Sequence, residues 1–356
     1  MKKIIFPFLM LMMLGADMAA YGQQRELLKL NVKVDVLYRQ GRYSDAVVVA
    51  QEALQLAEQT KNPNPSYIAT SLYQLAQLYI AQDRYTQAEP LFLRSLAIRE
   101  SIIAPDHRLA VAESLSGLAW MYSVQARYAA AEPLYKRALT IREAIFGPDH
   151  LGVAESMHHL AELYGKQGLY AAAEPLSKRA LKIAEKYLDS DHLITAYILQ
   201  GLGRIYFAQG RYAEAESLCD RSRTIAESAF NPLSSVVVVT MNCLGNIYTA
   251  QGRYAAAEPL YNRALAIGEK IFGTDSLTVK ETLNGLALLY DEQGLYAAAE
   301  LLYKRSLAIT EKVLGQDHPD VADILVPLSR LYRKIGRGKA AEGLEMRTLV
   351  IRTSRR

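Results

Sequence analysis

A register of 42 residues runs through most of this 356-residue chain and fixes what it can fold into. The phrase Gly-Arg-Tyr followed by Ala-Glu-Pro-Leu, or a close variant, recurs with its tyrosine at Tyr43, Tyr85, Tyr128, Tyr170, Tyr212, Tyr254 and Tyr296. Gly338 stands in the eighth equivalent place, and only the step from Tyr85 to Tyr128 departs from 42, by one residue. A period of this size marks a stacked array of small units, each unable to bury its own apolar face alone.

Upstream of each tyrosine, apolar residues fall at helical spacing, as in Leu160, Ala161, Leu163 and Tyr164. Downstream lies a second amphipathic run, for example Ala131, Leu134, Tyr135, Ala138, Leu139 and Ile141. The glycine of Gln-Gly-Arg-Tyr predicts a left-handed close to the first helix, and so short a turn predicts antiparallel neighbours. Pro90, Pro133, Pro175 and Pro259 are expected near the start of the second helix, where few backbone donors have an intrahelical partner to lose. The fold class is all-α, an α-solenoid of about eight antiparallel helix pairs.

Leu160, Ala161, Tyr164, Tyr170, Ala173 and Ala180 follow the small-and-large pattern of the tetratricopeptide repeat, which this chain resembles. The longer unit, with Ala-Glu-Pro-Leu-Tyr-Lys-Arg-Ala-Leu-Thr-Ile-Arg-Glu at 131–143 and Gly-Pro-Asp-His at 147–150, is similar to the 42-residue class typified by kinesin light chains. The resemblance covers roughly residues 27–351. It implies a right-handed superhelix with irregular first and last repeats as caps.

Lys2 and Lys3 precede an apolar run from Ile4 to Leu14, followed by Gly15, Ala16, Ala19, Ala20 and Gly22. This is the layout of a secretory signal peptide over residues 1–22, with 23–356 as the mature solenoid. The expectation is an exported, periplasmic or extracellular, bacterial protein, with membrane contact only if the segment is not cleaved. Cleavage removes Lys2, Lys3 and Asp17 and takes the net charge from +4 to +3. So balanced a chain gives no general reason to expect nucleic acid as a partner. Residues 330–356 hold nine Lys or Arg against Glu342 and Glu345, which reads as a solvated cap. Cys219 and Cys243 fall on a second helix and the following first helix; they are either small buried thiols, the default for cysteine, or a disulfide that export would permit.

Chemistry is hard to find in the pattern. His107, His150, His192 and His318 each follow an aspartate, but equivalent loops of stacked pairs lie on the order of two helix diameters of about 10 Å apart. Metal ligands must converge within about 2 Å of one ion. A linker role is expected, with Asp149 and Asp191 near the start of the following helix. His158 and His159 are neighbours on a helix and are not expected to face each other. No phosphate loop, nucleophile elbow or His-Glu-x-x-His motif is present. Glu132, Glu174, Glu216, Glu258 and Glu300 share one repeat position and are expected in surface pairs such as Glu132 with Lys136 and Glu300 with Lys304. The reading is a non-enzyme with no cofactor and no metal.

What varies between repeats is the polar face of the first helix, which in the tetratricopeptide family lines a concave, peptide-binding groove. Carried over by position, the resemblance implies a groove with Tyr73 and Gln77, Trp120, then Glu155, His158 and Glu162. Further along it implies Gln200, Arg204 and Phe207, then Asn242 and Asn246, then Asn284 with Glu281 and Asp291. Amide side chains both donate and accept, which suits an extended backbone, and Trp120 and Phe207 are candidate apolar anchors. The implied function is a scaffold binding a protein or peptide segment. The alternatives are a self-associating component of an envelope assembly and a regulatory module for a separately encoded enzyme.

Overall fold

The computed structural model describes residues 22–38, 40–60, 63–102, 107–188, 192–229 and 235–353. The candidate signal segment therefore lies outside the described residues, apart from Gly22. Those residues form 16 helices and no strand. They are α1 (22–38), α2 (Tyr43–Gln59), α3 (Pro65–Ala81), α4 (Tyr85–Ser101), α5 (Arg108–Val124), α6 (Tyr128–Phe146), α7 (Leu151–Lys166) and α8 (Tyr170–Tyr187). There follow α9 (Leu193–Ala208), α10 (Tyr212–Ala229), α11 (Ser235–Ala250), α12 (Tyr254–Phe272), α13 (Leu277–Glu292), α14 (Tyr296–Leu314), α15 (Pro319–Lys334) and α16 (Gly338–Thr353). Among the described helices none is long and apolar enough to cross a membrane.

Two compact units share the chain, one ending at Leu118 and the other beginning at Ala119, inside α5. In the first, α3 packs on both α2 and α4. In the second, each odd-numbered helix from α7 onward packs against the even-numbered helix that follows it, and each even-numbered helix against the next pair. Consecutive odd-numbered helices also touch, α7 with α9, α9 with α11 and α11 with α13. Within this unit the first helices thus form the closer-spaced layer of the helix-pair solenoid.

The repeated phrase acts at the turn. Gly168, Gly210, Gly252, Gly294 and Gly336 all have φ between 73° and 79° or just below, at 72° for Gly252, and stand where the helix needs a left-handed residue to close. The next amide then returns to the tyrosine carbonyl five residues back, as from Arg253 N to Tyr248 O at 2.8 Å. Two repeats do this without glycine, through Asp83 at φ 57° and Ala126 at φ 55°. The second helices begin on the signature tyrosine, so Pro90, Pro133 and their equivalents stand in the second turn, inside the helix, and not in the donor-free first turn expected from sequence.

The same phrase joins repeats. Arg253 lies over the Tyr248 ring at 4.0 Å from its centroid and donates to Glu216 of the previous repeat at 2.8 Å. Arg211 repeats this with Tyr206 and Glu174, and Arg337 pairs with Glu300. Where leucine replaces the arginine, at Leu169 and Leu295, the tyrosine hydroxyl donates to the same glutamate: Tyr164 to Glu132 at 3.0 Å and Tyr290 to Glu258 at 2.9 Å. The expected pairs Glu132 with Lys136 and Glu300 with Lys304 are also formed, each at 2.7 Å. On the second helices a further ladder joins arginines to glutamates 36 residues back, including Arg221 to Glu185, Arg263 to Glu227 and Arg347 to Glu311. Much of the basic tail is spent in such pairs, Arg333 with Glu345 among them.

The Asp-His loops cap helices, with one correction to the expected role. Histidine, not aspartate, is the N-cap: the Nδ1 atoms of His150, His192 and His318 accept from the amides of Gly152, Ile194 and Asp320. Ser276 and Asn64 take that place in two other repeats. Imidazole serves because its Nδ1 sits at the same reach from the backbone as a carboxylate oxygen of aspartate. Asp191 lies outside the described residues.

Candidate functional site

One position of the second helix decides how the groove floor is built. Phe92, Tyr135, Ser177, Cys219, Tyr261 and Tyr303 occupy equivalent places, and all are at most 2% exposed. Phe92, Cys219 and Tyr261 each point between their own first helix and the first helix of the next repeat. Tyr261 fits there because Gly245 and Gly285 flank it. A Cβ at Gly245 would stand 2.7 Å from Tyr261 Cζ, and one at Gly285 would be closer still. Phe92 is likewise accommodated by Gly117, whose Cβ would meet its Cε1 at 2.7 Å. Burying so large a side chain stabilises by roughly 1.5–3 kcal/mol, provided the facing position stays small.

Where the aromatic is missing, something else fills the wedge. Cys219 and Cys243 are joined in a disulfide with Cα atoms 6.3 Å apart, so the default of two free thiols does not hold. Cys243 occupies the place that Gly285 holds one repeat later. Gly203 leaves room for the bond, since a Cβ there would lie 2.5 Å from Cys219 Sγ. Beside the short Ser177, the His158 ring reaches toward Gly201, whose Cβ would stand 2.9 Å from its Cε1.

The wedge tyrosines reach the groove from behind. Tyr261 donates to Asn246 Oδ1 at 2.6 Å, which leaves the Asn246 amino group as the outward donor. Tyr303 keeps a buried hydroxyl with no hydrogen-bond partner among the described residues, and burial pushes its phenol above the ordinary tyrosine value. Its ring lines a cavity of 350 Å³ together with Gln200, Arg204, Asn242, Asn246, Glu281 and Asn284. Asn242 donates to Thr282 Oγ1 at 2.9 Å, while its Oδ1 is buried and unpartnered among the described residues. Gln200 Nε2 and Asn284 Oδ1 are unpartnered in the same way. Beneath the floor, Gln200 Nε2, Asn242 Oδ1 and Asn284 Oδ1 are thus buried polar atoms without a partner among the described residues, grouped around the same cavity as Asn246.

Five of the twelve sequence-expected residues, Gln200, Arg204, Asn242, Asn246 and Asn284, meet in that cavity. Glu162 and Phe207 join Arg204 and Asn246 around a second, of 270 Å³. His158 is near Glu162, with Nε2 3.9 Å from Oε2. Glu155 is exposed and Trp120 is 36% exposed, and neither lines these cavities. Tyr73 and Gln77 belong to the first unit, where Gln77 Nε2 donates to Tyr73 Oη at 2.7 Å. Asp291, expected on the groove face, is buried against Lys334 at 2.8 Å. His158, Gln200 and Asn242 are 3–7% exposed, far less than a solvated helix face implies, because consecutive first helices pack on one another.

Sequence reasoning missed Tyr303 and Tyr261 as groove residues because they belong to second helices. A large residue followed by glycine 24 residues on, as in Tyr261 and Gly285, is the signal that could have found Tyr261; Tyr303, followed at that distance by Pro327, carries no such signal. The separation of His158 and His159 also needs correction. Ligand atoms of His158, His159 and Glu162 all lie within 4.8 Å of one another, since long side chains converge beyond the divergent Cβ atoms. Burial pulls His159 down to about 4, with the His158 charge adding to the effect. Burial raises Glu162, but His158, Arg204 and Lys166 more than offset it and leave the carboxyl below its ordinary value.

The tetratricopeptide repeat family profile matches residues 26–101, 67–144, 110–186, 153–228 and 236–312. Among curated proteins nothing matches the chain significantly. Several solved structures are similar in fold. The Rap conjugation gene regulator of the plasmid pLS20, in complex with the Phr* peptide, is 14% identical with a TM-score of 0.66, over 92% of this chain and 95% of that one. A Rap protein complexed with competence and sporulation factor is 15% identical with a TM-score of 0.65, over 93% and 98%. Aspartyl phosphate phosphatase F from Bacillus subtilis is 13% identical with a TM-score of 0.59, over 92% and 93%.

Proposed function

The chain belongs to the tetratricopeptide repeat family, and from that premise we propose that it is a non-enzymatic scaffold whose second unit holds an extended peptide segment of another protein against Gln200, Asn242, Asn246 and Asn284. The observation that carries this is the convergence of these four amide side chains on one cavity, three of them with a buried polar atom lacking a partner among the described residues. A buried polar atom without a partner costs about 1–3 kcal/mol. A peptide backbone both donates and accepts, and amides that turn toward the cavity on binding would pair with it. Arg204 and Glu281 at the rim add charges of opposite sign, which suits a segment carrying both. The pLS20 regulator was solved with a peptide on the same fold, which is consistent with this use.

Lys2, Lys3 and the apolar run to Leu14 support export, so the partner belongs to the periplasm or the cell exterior. The Cys219–Cys243 bond accords with an oxidising compartment. The test is selection of a random peptide library on the mature chain, followed by hydrogen-exchange mapping of the complex. The expected result is protection on α9, α11 and α13. Enrichment of no peptide, or protection confined to α10 and α12, would contradict the reading.

A second reading has its own observation. Met346, Leu349 and Val350 are 55–64% exposed and share one face of α16, an apolar stripe suited to self-association. Sedimentation at rising concentration distinguishes it: an oligomer dispersed by Leu349→Glu and unaffected by groove substitutions favours assembly over peptide capture.

A further inference from the structure

The inner face of α7 carries a donor set that the peptide reading does not use. His158, His159 and Glu162 bring one ligand atom each to within 4.8 Å of the others. We propose that these three side chains form a binding site for a divalent transition-metal ion of the zinc class.

The chemistry of the set fits that ion. Two imidazoles and one carboxylate are a recurrent zinc donor combination, with bonds of about 2.0–2.2 Å. A tetrahedral ion with such bonds separates its ligand atoms by about 3.4 Å. His158 Nε2 and Glu162 Oε2 stand 3.9 Å apart, too far for a hydrogen bond and close to that spacing. Hard cations such as calcium or magnesium, which want six or more oxygens, do not suit a set with one carboxylate.

The surroundings hold the ligands in place. His158 is 6% exposed, and its Nδ1 and that of His159 are buried without a partner among the described residues. Gly201 leaves the space the His158 ring occupies. His159 is stacked on Tyr135, ring centroids 5.9 Å apart and 15° from parallel, which restricts its rotamer. His158 thus turns Nε2 toward Glu162 while each ring keeps a buried Nδ1 without a partner among the described residues, a costly arrangement for side chains with no ligand.

Charge around the site is mixed. Arg204 approaches Glu162 Oε1 at 3.8 Å, a long contact made by a half-exposed side chain that is free to withdraw. Arg142 is engaged by Ser156 at 2.6 Å, Lys166 lies one turn past Glu162, and Glu155 one turn before His159 supplies compensating charge. Three protein ligands leave a coordination position open. Glu162 also lines the 270 Å³ cavity with Phe207 and Asn246, so that position is within reach of a groove occupant's histidine or carboxylate.

Zn²⁺ titration of the untagged full chain, in competition with a chromophoric chelator, tests the proposal. The expected result is one equivalent bound, with affinity falling about tenfold or more in His159→Gln and in Glu162→Gln and unchanged in His107→Gln. Circular dichroism of each variant establishes that it is folded. Should a variant not fold, Co²⁺ bound to the wild-type chain provides the readout, as a visible d–d spectrum of a site with nitrogen and oxygen ligands. Absence of a stoichiometric equivalent, or binding that persists in both variants, overturns the site. Neither result depends on peptide capture, which is measured separately.

Discussion

Tyr261 rises from a second helix, passes between Gly245 and Gly285, and donates its hydroxyl proton to Asn246 Oδ1 at 2.6 Å. A residue of the outer layer thus orients an amide of the inner one. The scaffold and the groove are coupled at this point through the Tyr261 hydroxyl, which also interacts with Thr249 of the same inner helix.

Tyr261→Phe removes that bond and the hydroxyl's contact with Thr249 while keeping the ring in its wedge. A net hydrogen bond contributes about 0.5–1.5 kcal/mol, so the thermal midpoint should move by only a few degrees, while Asn246 is freed to turn and affinity for a selected peptide falls. Gly285→Ala acts on the same contact by overpacking. It should cost about 1–3 kcal/mol in denaturant unfolding, and Gly285→Ala combined with Tyr261→Leu should recover part of the loss.

Lys280 and Asp320 make a pair between α13 and α15 at 2.8 Å, with the lysine side chain 9% exposed and the aspartate 33%. Burial pulls the Lys280 ammonium down and Asp320 more than reverses it, so its folded value lies above the ordinary one. Burial raises Asp320, and Lys280 leaves it lowered overall. A lowered carboxyl stabilises above its unfolded pKa of about 3.9 and loses that contribution as pH falls through the folded value. A raised lysine stabilises below about 10.4 and loses its contribution as pH climbs through the folded value. Asp320→Asn should therefore destabilise by about 2–4 kcal/mol between those limits, and by less in strong acid. Chemical denaturation at pH 3 and pH 7 checks the acid half, and at pH 7 and pH 11 the alkaline half.

The Cys219–Cys243 bond closes a loop of sequence separation 24. A loop of that size contributes about 3 kcal/mol in the chain-entropy account. The chain purified without reductant should be lighter than its reduced form by two hydrogens, and Cys219→Ser with Cys243→Ser should lower the unfolding midpoint without loss of helix. Equal midpoints for variant and wild type would remove the disulfide from the account of stability.

Ala126 holds φ at 55° in the turn where five repeats of the second unit use glycine. A left-handed residue with a Cβ costs about 1–2 kcal/mol. Ala126→Gly should accordingly stabilise by about 1 kcal/mol, and Gly252→Ala should destabilise by as much, both read from urea midpoints.

The repeat period, the helix pairs and the closing glycines were legible in sequence because each is local and recurs. The groove positions were legible only as a column. Gln200 and Asn242 lie on the expected face, yet they are buried, since how far one first helix sinks toward the next depends on wedge residues 15–24 positions away. The linker role of the Asp-His dipeptides is legible in sequence, but which residue caps is not, because both can cap and only geometry chooses. His158 and His159 were set apart by a helical-wheel argument that describes Cβ directions and not the reach of an imidazole.

Affinity of a selected peptide for Asn242→Ala/Asn284→Ala, set beside the wild type by calorimetry, tests the groove most directly. The account predicts a loss of about tenfold or more with the thermal midpoint little changed, because two amide contacts to an extended backbone are removed while the wedge and the repeat clamps stay. Equal affinity in the folded double variant would contradict it.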